Sequence, residues 1–468
     1  MYSNGNTAKA CEPTQLSFAV PPYLGASLIG IGLGVFFLGC SASSPTTAAQ
    51  PAPSADSSVP ENDTSDTGGD AEATTNTGGT PAATGGSDSN GVADGTGGDT
   101  AGTGGMTTDQ AEGTGGTNDG TGGADENDSA PMPVAGGSIF NSELCGGTAS
   151  AEPDFSLLGW ATVDGATTGG QGGTTVTVSN AAELVAALSA AQDSGEPTTI
   201  LVAGTISPAD TSESKIDLKD IQDISIIGLG DGADFDGIGI KVTRASNIVL
   251  RNLKIHNVLT GDKDAISIEG PADHIWVDHC ELYAELDGVD KDLYDGLLDA
   301  KRDSAYITYS WNYLHDSWKA MLVGSSDGDL DDRKITMHHN RIDHVNSRLP
   351  LFRAGQAHIF NNDYNDVLST AINTRMGACI RIEQNVFSLV QNPWISAYSD
   401  ELGSAELRCN LVSDDSVFDE PTDESQAPLA CALDVPYDYA SQLHAPEDVR
   451  TIVHAYSGVG KLEDPTDF

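Results

Sequence analysis

Acidic side chains recur at short spacing in the middle of the chain. In the run Asp295-Gly-Leu-Leu-Asp-Ala-Lys301, a β-strand period of two would place every second residue on one exposed face: Asp295, Leu297, Asp299 and Lys301. Two carboxylates a few ångströms apart repel each other unless a cation lies between them. A hard cation that takes several oxygen ligands in loose geometry suits such a pair, which indicates calcium (Ca²⁺).

A second acidic pair, Asp262 and Asp264, precedes this run and flanks Lys263. Successive strands of a stacked structure lie about 4.8 Å apart. Stacking would therefore bring Asp264 within reach of Asp295 and Asp299. The sequence predicts a group of carboxylates contributed by neighbouring segments.

Short β-rich segments recur along the part of the chain that must position these side chains. They are Thr199–Val202, Ile224–Ile227, Ile248–Leu250, Ile275–Val277, Tyr306–Tyr309, Ile335–Met337, His358–Phe360, Ile380–Ile382 and Glu406–Arg408. Several precede a polar turn residue, and those from Asn312 onward lie 28, 21, 24 and 25 positions apart: Asn312, Asn340, Asn361, Asn385 and Asn410. Such periods are typical of stacked coils, in which stacking buries a continuous core.

We therefore predict an all-β fold, a right-handed single-stranded parallel β-helix. Another all-β fold with long loops is the alternative. A short N-terminal cap helix is indicated where Asn180-Ala-Ala-Glu183 precedes the apolar positions Leu184 and Leu188, because Asn is a favoured N-cap and Glu follows it three positions later.

The first third of the chain has a different composition. Residues 41–137 are rich in Thr, Gly, Ser, Ala and Asp, repeat the triplet Thr-Gly-Gly, and contain no Lys or Arg. Such a segment buries too little apolar surface to offset its chain entropy, so we predict a disordered linker. Residues 138–468 then form the folded domain.

The N-terminus predicts export. An apolar run from Leu24 to Leu38 is short for a membrane span and suits the core of a signal peptide over residues 1–40. Leu38-Gly39-Cys40 resembles a bacterial lipoprotein cleavage box, and an ordinary signal peptide is the alternative. We expect a secreted or outer-membrane-anchored protein whose only membrane attachment is a lipid on Cys40.

Charge and cysteine content restrict the partners. The chain has 22 Lys and Arg against 69 Asp and Glu, a net charge of −47, which argues against a nucleic acid partner. Five of the seven cysteines remain once Cys11 and Cys40 are set aside, and their spacing matches no zinc motif. An odd number leaves one unpaired; the pairing stays open, and Cys280 best suits a buried thiol.

Several motifs occur in one order between Phe155 and Lys461, and together they resemble family 1 of the polysaccharide lyases, the pectate lyases. The motifs are 159–165, 168–174, Ile275-Trp-Val-Asp-His279, Tyr294–Lys301, Met321–Ser326, Val345–Arg353, 435–439 and 458–461. The resemblance implies a monomeric enzyme that cleaves polygalacturonate, a (1→4)-α-D-galacturonan, by calcium-dependent β-elimination that leaves 4,5-unsaturated oligogalacturonides.

The resemblance also implies roles for single residues. Asp264, Asp295 and Asp299 match family positions that bind calcium, and Asp262 matches one that assists. Arg348 matches the base, and Lys319 and Arg353 match residues that bind substrate carboxylates, Lys319 also taking part in catalysis. Arg375 is a further candidate to line the groove.

Three alternatives remain at this point. A pectin lyase acting on methyl-esterified pectin is disfavoured, because the related pectin lyases do not keep the acidic cluster. A polygalacturonase would hydrolyse the same polymer with paired carboxylates. A non-catalytic, surface-anchored polysaccharide-binding β-helix would bind the polymer and cleave no bond.

Overall fold

The computed structural model describes residue 134 and residues 136–149, 152–419 and 431–468. The predicted signal peptide, Cys40 and nearly all of the predicted linker lie outside the described residues, so those assignments stay predictions. None of the described helices has the length and apolar character needed to cross a membrane.

A parallel β-helix of about ten coils forms the folded domain, which confirms the predicted fold. Three sheets run along it, and each coil in the stack passes from sheet I to sheet II to sheet III. Sheet I contains β2 Thr174–Val178, β3 Thr198–Val202, β6 Gln222–Gly228, β9 Ser246–Arg251, β12 Ala272–Asp278, β15 Ser304–Ser310, β18 Lys334–His338, β21 Gln356–Phe360, β24 Cys379–Glu383 and β27 Ser404–Arg408. Every β-rich segment predicted from the sequence lies in this sheet.

The other two sheets consist mostly of shorter strands. Sheet II contains β4 Thr205–Ile206, β7 Ala233–Asp236, β10 Leu253–His256, β13 Glu281–Tyr283, β16 Tyr313–Lys319, β19 Arg341–Ser347, β22 Asp363–Thr370, β25 Val386–Val390, β28 Asn410–Val412 and the antiparallel edge strand β1 Ser138–Phe140. Sheet III contains β5 Ile216–Lys219, β8 Ile240–Thr243, β11 Ile266–Glu269, β14 Leu298–Lys301, β17 Leu322–Val323, β20 Leu351–Arg353, β23 Ile372–Arg375 and β26 Trp394–Ile395.

Two helices cover parts of the stack. Helix α1, Ala181–Ser194, begins as predicted, since the Asn180 side chain accepts a hydrogen bond from the Glu183 amide and Glu183 accepts one from the Ser179 amide. It runs on to Gly195, beyond the apolar positions that indicated it. Helix α2, Pro446–Tyr456, was not predicted; its Val449 and Val453 pack on β25.

The interior is a set of stacked apolar side chains. One line of partners in sheet I is buried in nine of its ten strands: Ile200, Ile226, Leu250, Val277, Tyr309, Met337, Ile359, Ile382 and Leu407. Each such side chain contributes about 1.5–3 kcal/mol when it is removed from water. A slip of one residue would expose a whole strand's apolar set, so burial fixes the register.

Asparagines form a ladder at the turn between sheets I and II. Their side chains hydrogen-bond in sequence at 2.8–3.1 Å: Asn312, Asn340, Asn362, Asn385 and Asn410. Asn361 lies at the turn as predicted, but the residue that joins the ladder is its neighbour Asn362. Asn361 has a φ of 52° and donates instead to the carbonyls of Gln384 and His444.

The cysteines resolve into two disulfides and one thiol. Cys145 bonds to Cys409, and Cys379 bonds to Cys431. Cys280 is fully buried, as expected, and its amide donates to Asn312 at 2.9 Å, so it occupies the position just before the ladder begins.

A chain of buried histidines packs beside that turn. Nδ1 of His338 lies 2.9 Å from Nδ1 of His339, and Nε2 of His339 lies 2.9 Å from Nδ1 of His444. Burial lowers the pKa of His338 to about 3. Burial and the neighbouring imidazoles His338 and His444 also lower the pKa of His339.

The buried histidines predict that the folded state loses stability in acid. An unfolded histidine has a pKa of about 6.5, so the unfolded state binds the proton and stability falls as pH drops from about 6.5 towards 3, by up to about 1.4 kcal/mol per pH unit for each such group. His338→Phe keeps the stacking on Phe360, whose ring lies 5.0 Å away. We expect its unfolding free energy, measured in urea between pH 6 and pH 4, to fall less steeply than that of the wild type.

His344 provides the opposite control. The hydrogen bond that His344 donates to the Asp366 carboxylate raises the pKa of His344, so this side chain favours folding in acid. Below the unfolded pKa of about 6.5 this stabilisation is already complete, so His344→Gln should leave the slope between pH 6 and pH 4 unchanged and should instead remove the stability that the wild type gains as pH falls towards about 6.5. Equal slopes for wild type and His338→Phe would contradict the assignment.

Candidate functional site

The outer face of sheet III carries charged side chains in fixed lines. Asp299 and Lys301 occupy alternate positions of β14, and Arg353 of β20 is the direct partner of Arg375 of β23. Because adjacent coils are about 4.8 Å apart, these side chains form one strip along the helix axis.

The turns between sheets II and III carry the other predicted residues. Asp264, Asp295, Lys319 and Arg348 belong to such turns in four successive coils, Lys319 as the last residue of β16. Backbone hydrogen bonds of 2.7–2.9 Å join residues next to them from each turn to the following one. The four residues therefore lie in neighbouring, stacked turns beside the strip.

Asp264 and Asp299 share one ammonium group. Lys301 Nζ lies 3.0 Å from Asp264 Oδ2 and 2.9 Å from Asp299 Oδ2. The remaining carboxylate oxygens accept from backbone amides, that of Gly296 for Asp264 and that of Leu322 for Asp299. The two aspartates are only 4% and 1% exposed, so both carboxylates are held in a largely dry site.

The electrostatics of this pair favour an additional cation. Burial raises the pKa of Asp264 to about 7, the Asp299 carboxylate adds to the increase and the Asp295 carboxylate contributes further, while Lys301 opposes it. Burial alone would lower the pKa of Lys301, but Asp299 and Asp264 outweigh burial and raise it. These hard oxygen donors, crowded and only partly neutralised, are the ligand type that calcium prefers. Within the described ranges, however, no three acidic, His or Cys side chains converge as a ready metal site.

Asp295 faces the other lysine of the site. Lys319 Nζ lies 3.5 Å from Asp295 Oδ1 and 2.6 Å from Asp292 Oδ1. The hydrogen bond from Lys319 lowers the pKa of Asp292. Sequence reasoning missed Asp292, which lies in an exposed loop with no periodic signal.

Asp262 lies apart from the other aspartates. Its Oδ2 accepts from Lys215 at 3.1 Å and from Lys241 at 2.9 Å, and Lys241 also pairs with Glu269. The structure thus brings Asp264, Asp299 and Asp295 near one another, and pairs Asp262 with two lysines instead.

The predicted alternation of side chains from Asp295 to Lys301 is found for only part of that run. Asp299 and Lys301 do alternate with the buried Leu298 and Ala300. Leu297 was misplaced, because β14 begins after it and its side chain is 2% exposed in the core. Asp295 reaches the site from the preceding turn. Asp299 itself is covered by Lys301 and is not exposed.

Three arginines gather at the other end of the strip. The Arg348 guanidinium makes no hydrogen bond or ion pair with any described residue, and its backbone φ is 66°. Arg353 donates from Nε to Asp327 and from Nη1 to the Gly324 carbonyl, at 2.7 and 2.9 Å. Burial lowers the pKa of Arg375 to about 10, with further lowering by the positive charges of Arg353 and Arg348.

The site is therefore bipolar: a carboxylate group at one end, three guanidinium groups at the other, and Lys319 between them. Asp278 and His279 are fully buried elsewhere and hydrogen-bonded to each other at 2.6 Å, so they support the fold and do not line the strip. A polyanion could lie along the arginines while its own carboxylates approach cations.

The chain matches a protein-family model described as "Pectate lyase" over residues 140–462. It is 49% identical over 321 residues to a pectate trisaccharide-lyase of Bacillus licheniformis, a match covering 69% of this chain and 91% of that enzyme. It is 40% identical over 290 residues to pectate lyase A of Emericella nidulans, covering 61% and 83%.

Solved structures agree. A pectate lyase from Bacillus sp. N165 in complex with trigalacturonate has a TM-score of 0.60 and 36% identity, covering 65% of this chain and 99% of that one. Pectate lyase C from Erwinia chrysanthemi, at pH 9.5 with 30 mM Ca²⁺, has a TM-score of 0.56 and 27% identity, covering 66% and 97%. The chain belongs to the pectate lyase family.

Proposed function

We propose that the protein is a pectate lyase that cleaves polygalacturonate by β-elimination on the outer face of sheet III. The observation that carries the proposal is the bipolar strip, which places the Arg348 guanidinium, without a protein partner among the described residues, in the coil next to Lys319. The relatives with this fold and these motifs are pectate lyases, and one of them was solved with trigalacturonate.

Elimination breaks the C5–H bond of a uronate. The electron pair of that bond forms the C4=C5 double bond, the bond from C4 to the glycosidic oxygen breaks, and the departing oxygen takes a proton. The substrate carboxylate beside C5 resists the build-up of negative charge, so a cation must face it. Lys319 supplies such a charge, while Arg353 and Arg375 bind carboxylates along the chain.

Arg348 is proposed as the base that takes the C5 proton. An arginine side chain can accept a proton only when it is neutral, and at ordinary pH it stays protonated. The reaction should therefore be fastest in alkali.

We propose that Asp264, Asp299 and Asp295 hold calcium at the carboxylate end of the strip. Bound there, it would supply positive charge to a substrate carboxylate that the acidic protein would otherwise repel. Support comes from the crowded carboxylates themselves and from the relative solved with Ca²⁺. Methylated pectin lacks most of the charges that this arrangement would neutralise, which favours pectate as the substrate.

We also propose that the enzyme acts outside the cytoplasm as a monomer, secreted or tethered to the outer membrane through Cys40 and the long linker. The proposal rests on the composition of residues 1–137.

The reaction class can be tested directly. Polygalacturonate incubated with the protein and calcium should give a product that absorbs in the ultraviolet, because elimination leaves a C4=C5 double bond conjugated to the carboxylate. Chelator should abolish the absorbance, and highly methylated pectin should give little. Reducing ends that appear without absorbance would indicate hydrolysis, and tight binding without either signal would establish a binding protein.

The metal ligands can be separated by calorimetric titration of calcium in the absence of substrate. We expect Asp299→Asn to weaken calcium binding by more than about tenfold, since it removes a buried carboxylate from the crowded group. Asp262→Asn is the matched control, because Asp262 is already paired with Lys215 and Lys241; its effect should stay within about threefold. Equal effects of the two substitutions would show that the pairing seen for Asp262 does not exclude it from the site.

The base assignment makes a prediction about pH. Arg348→Lys should lower kcat by about 100-fold, the usual contribution of a general base. A lysine loses its proton more readily than an arginine, so the residual activity should reach its maximum at a lower pH than that of the wild type. An unchanged pH profile with reduced kcat would assign Arg348 to substrate binding.

A further inference from the structure

Asp327 lies beside the arginine end of the strip and no substrate role follows for it from the motifs. Its Oδ1 accepts from Arg353 Nε at 2.7 Å. Its Oδ2 accepts from the Ser399 hydroxyl at 2.8 Å and from the Asp400 amide at 2.9 Å. One carboxylate therefore joins a substrate-binding arginine to a segment 72 residues further along the chain.

The bonds of Arg353 leave one edge of its guanidinium available. Nε is held by Asp327 and Nη1 by the Gly324 carbonyl, whereas Nη2 bonds to no described residue. Since the guanidinium is planar, fixing Nε and Nη1 fixes the direction of Nη2. A uronate carboxylate approaching Nη2 meets a group that has little rotational freedom left to lose.

The segment at residues 398–402 also contacts the second arginine. Arg375 Nη1 donates to the Tyr398 carbonyl at 2.7 Å, and the amides of Met376 and Gly377 donate to the Glu401 and Leu402 carbonyls at 2.7 and 3.1 Å. The Tyr398 side chain is 65% exposed. The segment thus lies against both arginines, through Asp327 on one side and through the backbone on the other.

Asp327 carries a charge throughout the working range. Burial would raise its pKa, but the Asp400 amide and the Arg353 guanidinium lower the pKa of Asp327 to about 2. A hydrogen bond to an ionised partner is about twice as strong as a neutral one.

We propose that Asp327 is a positioning residue for substrate binding: it orients Arg353 towards the uronate chain. This inference rests on the proposed substrate class. Asp327 itself does not touch the substrate; it acts through Arg353, and its loss weakens binding more than it slows the chemical step.

A double-mutant cycle tests the inference. Binding of trigalacturonate is measured by calorimetry at one fixed calcium concentration, and kcat and KM are measured on polygalacturonate, for wild type, Asp327→Asn, Arg353→Met and the double variant. We expect Asp327→Asn to weaken binding about tenfold, with a matching rise in KM and kcat within about twofold. In the Arg353→Met background the same substitution should have no further effect, because the group that it orients is gone.

Ser399→Ala is the matched control. It removes one anchor of the segment while leaving the bond between Asp327 and Arg353 intact, so trigalacturonate binding should change by less than about twofold. Should Asp327→Asn not fold, the cycle is run with Asp327→Glu, which keeps the charge and displaces the carboxylate by one methylene; its effect should likewise vanish with Arg353→Met.

Two results would overturn the inference: an undiminished effect of the Asp327 substitution in the Arg353→Met background, or unchanged binding in the single variant. The proposed reaction is judged separately. A wild-type protein that forms no unsaturated product would refute the lyase function, while trigalacturonate binding would still decide the role of Asp327.

Discussion

The parallel hydrogen-bond register between coils is the constraint on which the site depends. The functional side chains come from five successive coils, so most of them meet through stacking and not through local chain geometry. The buried apolar lines of sheet I fix the register, because a slip of one residue would turn core side chains to solvent. The packing of apolar side chains in sheet I thereby determines which charged side chains become neighbours at sheet III.

The charges themselves are separated along the axis. Carboxylates collect on the coils of β11 and β14, and guanidinium groups collect on those of β20 and β23. A protein with a net charge of −47 repels polygalacturonate over most of its surface. Local segregation lets such a protein present a cationic patch to the polymer at one end of the strip, apart from the acidic patch at the other end.

Much of this could be predicted from the sequence, and the reasons differ between elements. Sheet I was found in full because its strands are apolar and recur at a coil period. The shorter strands of sheets II and III give little periodic signal, and α2 has no side-chain N-cap among its residues. The site aspartates and arginines could be named through family motifs, whose spacing survives in the fold.

The remainder depends on contacts between distant segments. Asp262 and Asp264 are two positions apart, yet one pairs with lysines of earlier coils and the other with Lys301. Adjacent asparagines, Asn361 and Asn362, differ only in which one has the left-handed backbone. Asp327 accepts hydrogen bonds from the distant segment at residues 398–402. No local pattern distinguishes these cases, because the partner is chosen by stacking.

The asparagine ladder begins at Asn312, which lies between the coils that carry the site aspartates and the coils that carry the site arginines. The coils before Asn312 have Leu253 and Cys280 at the equivalent turn position. These coils carry the aspartates Asp264, Asp295 and Asp299. The coils after Asn312 carry the arginines Arg348, Arg353 and Arg375. Hydrogen bonds between asparagine side chains join the arginine-bearing coils along one corner. The carboxylate-bearing coils do not have these side-chain hydrogen bonds. These additional hydrogen bonds raise the cost of local opening of the arginine-bearing coils relative to that of the carboxylate-bearing coils.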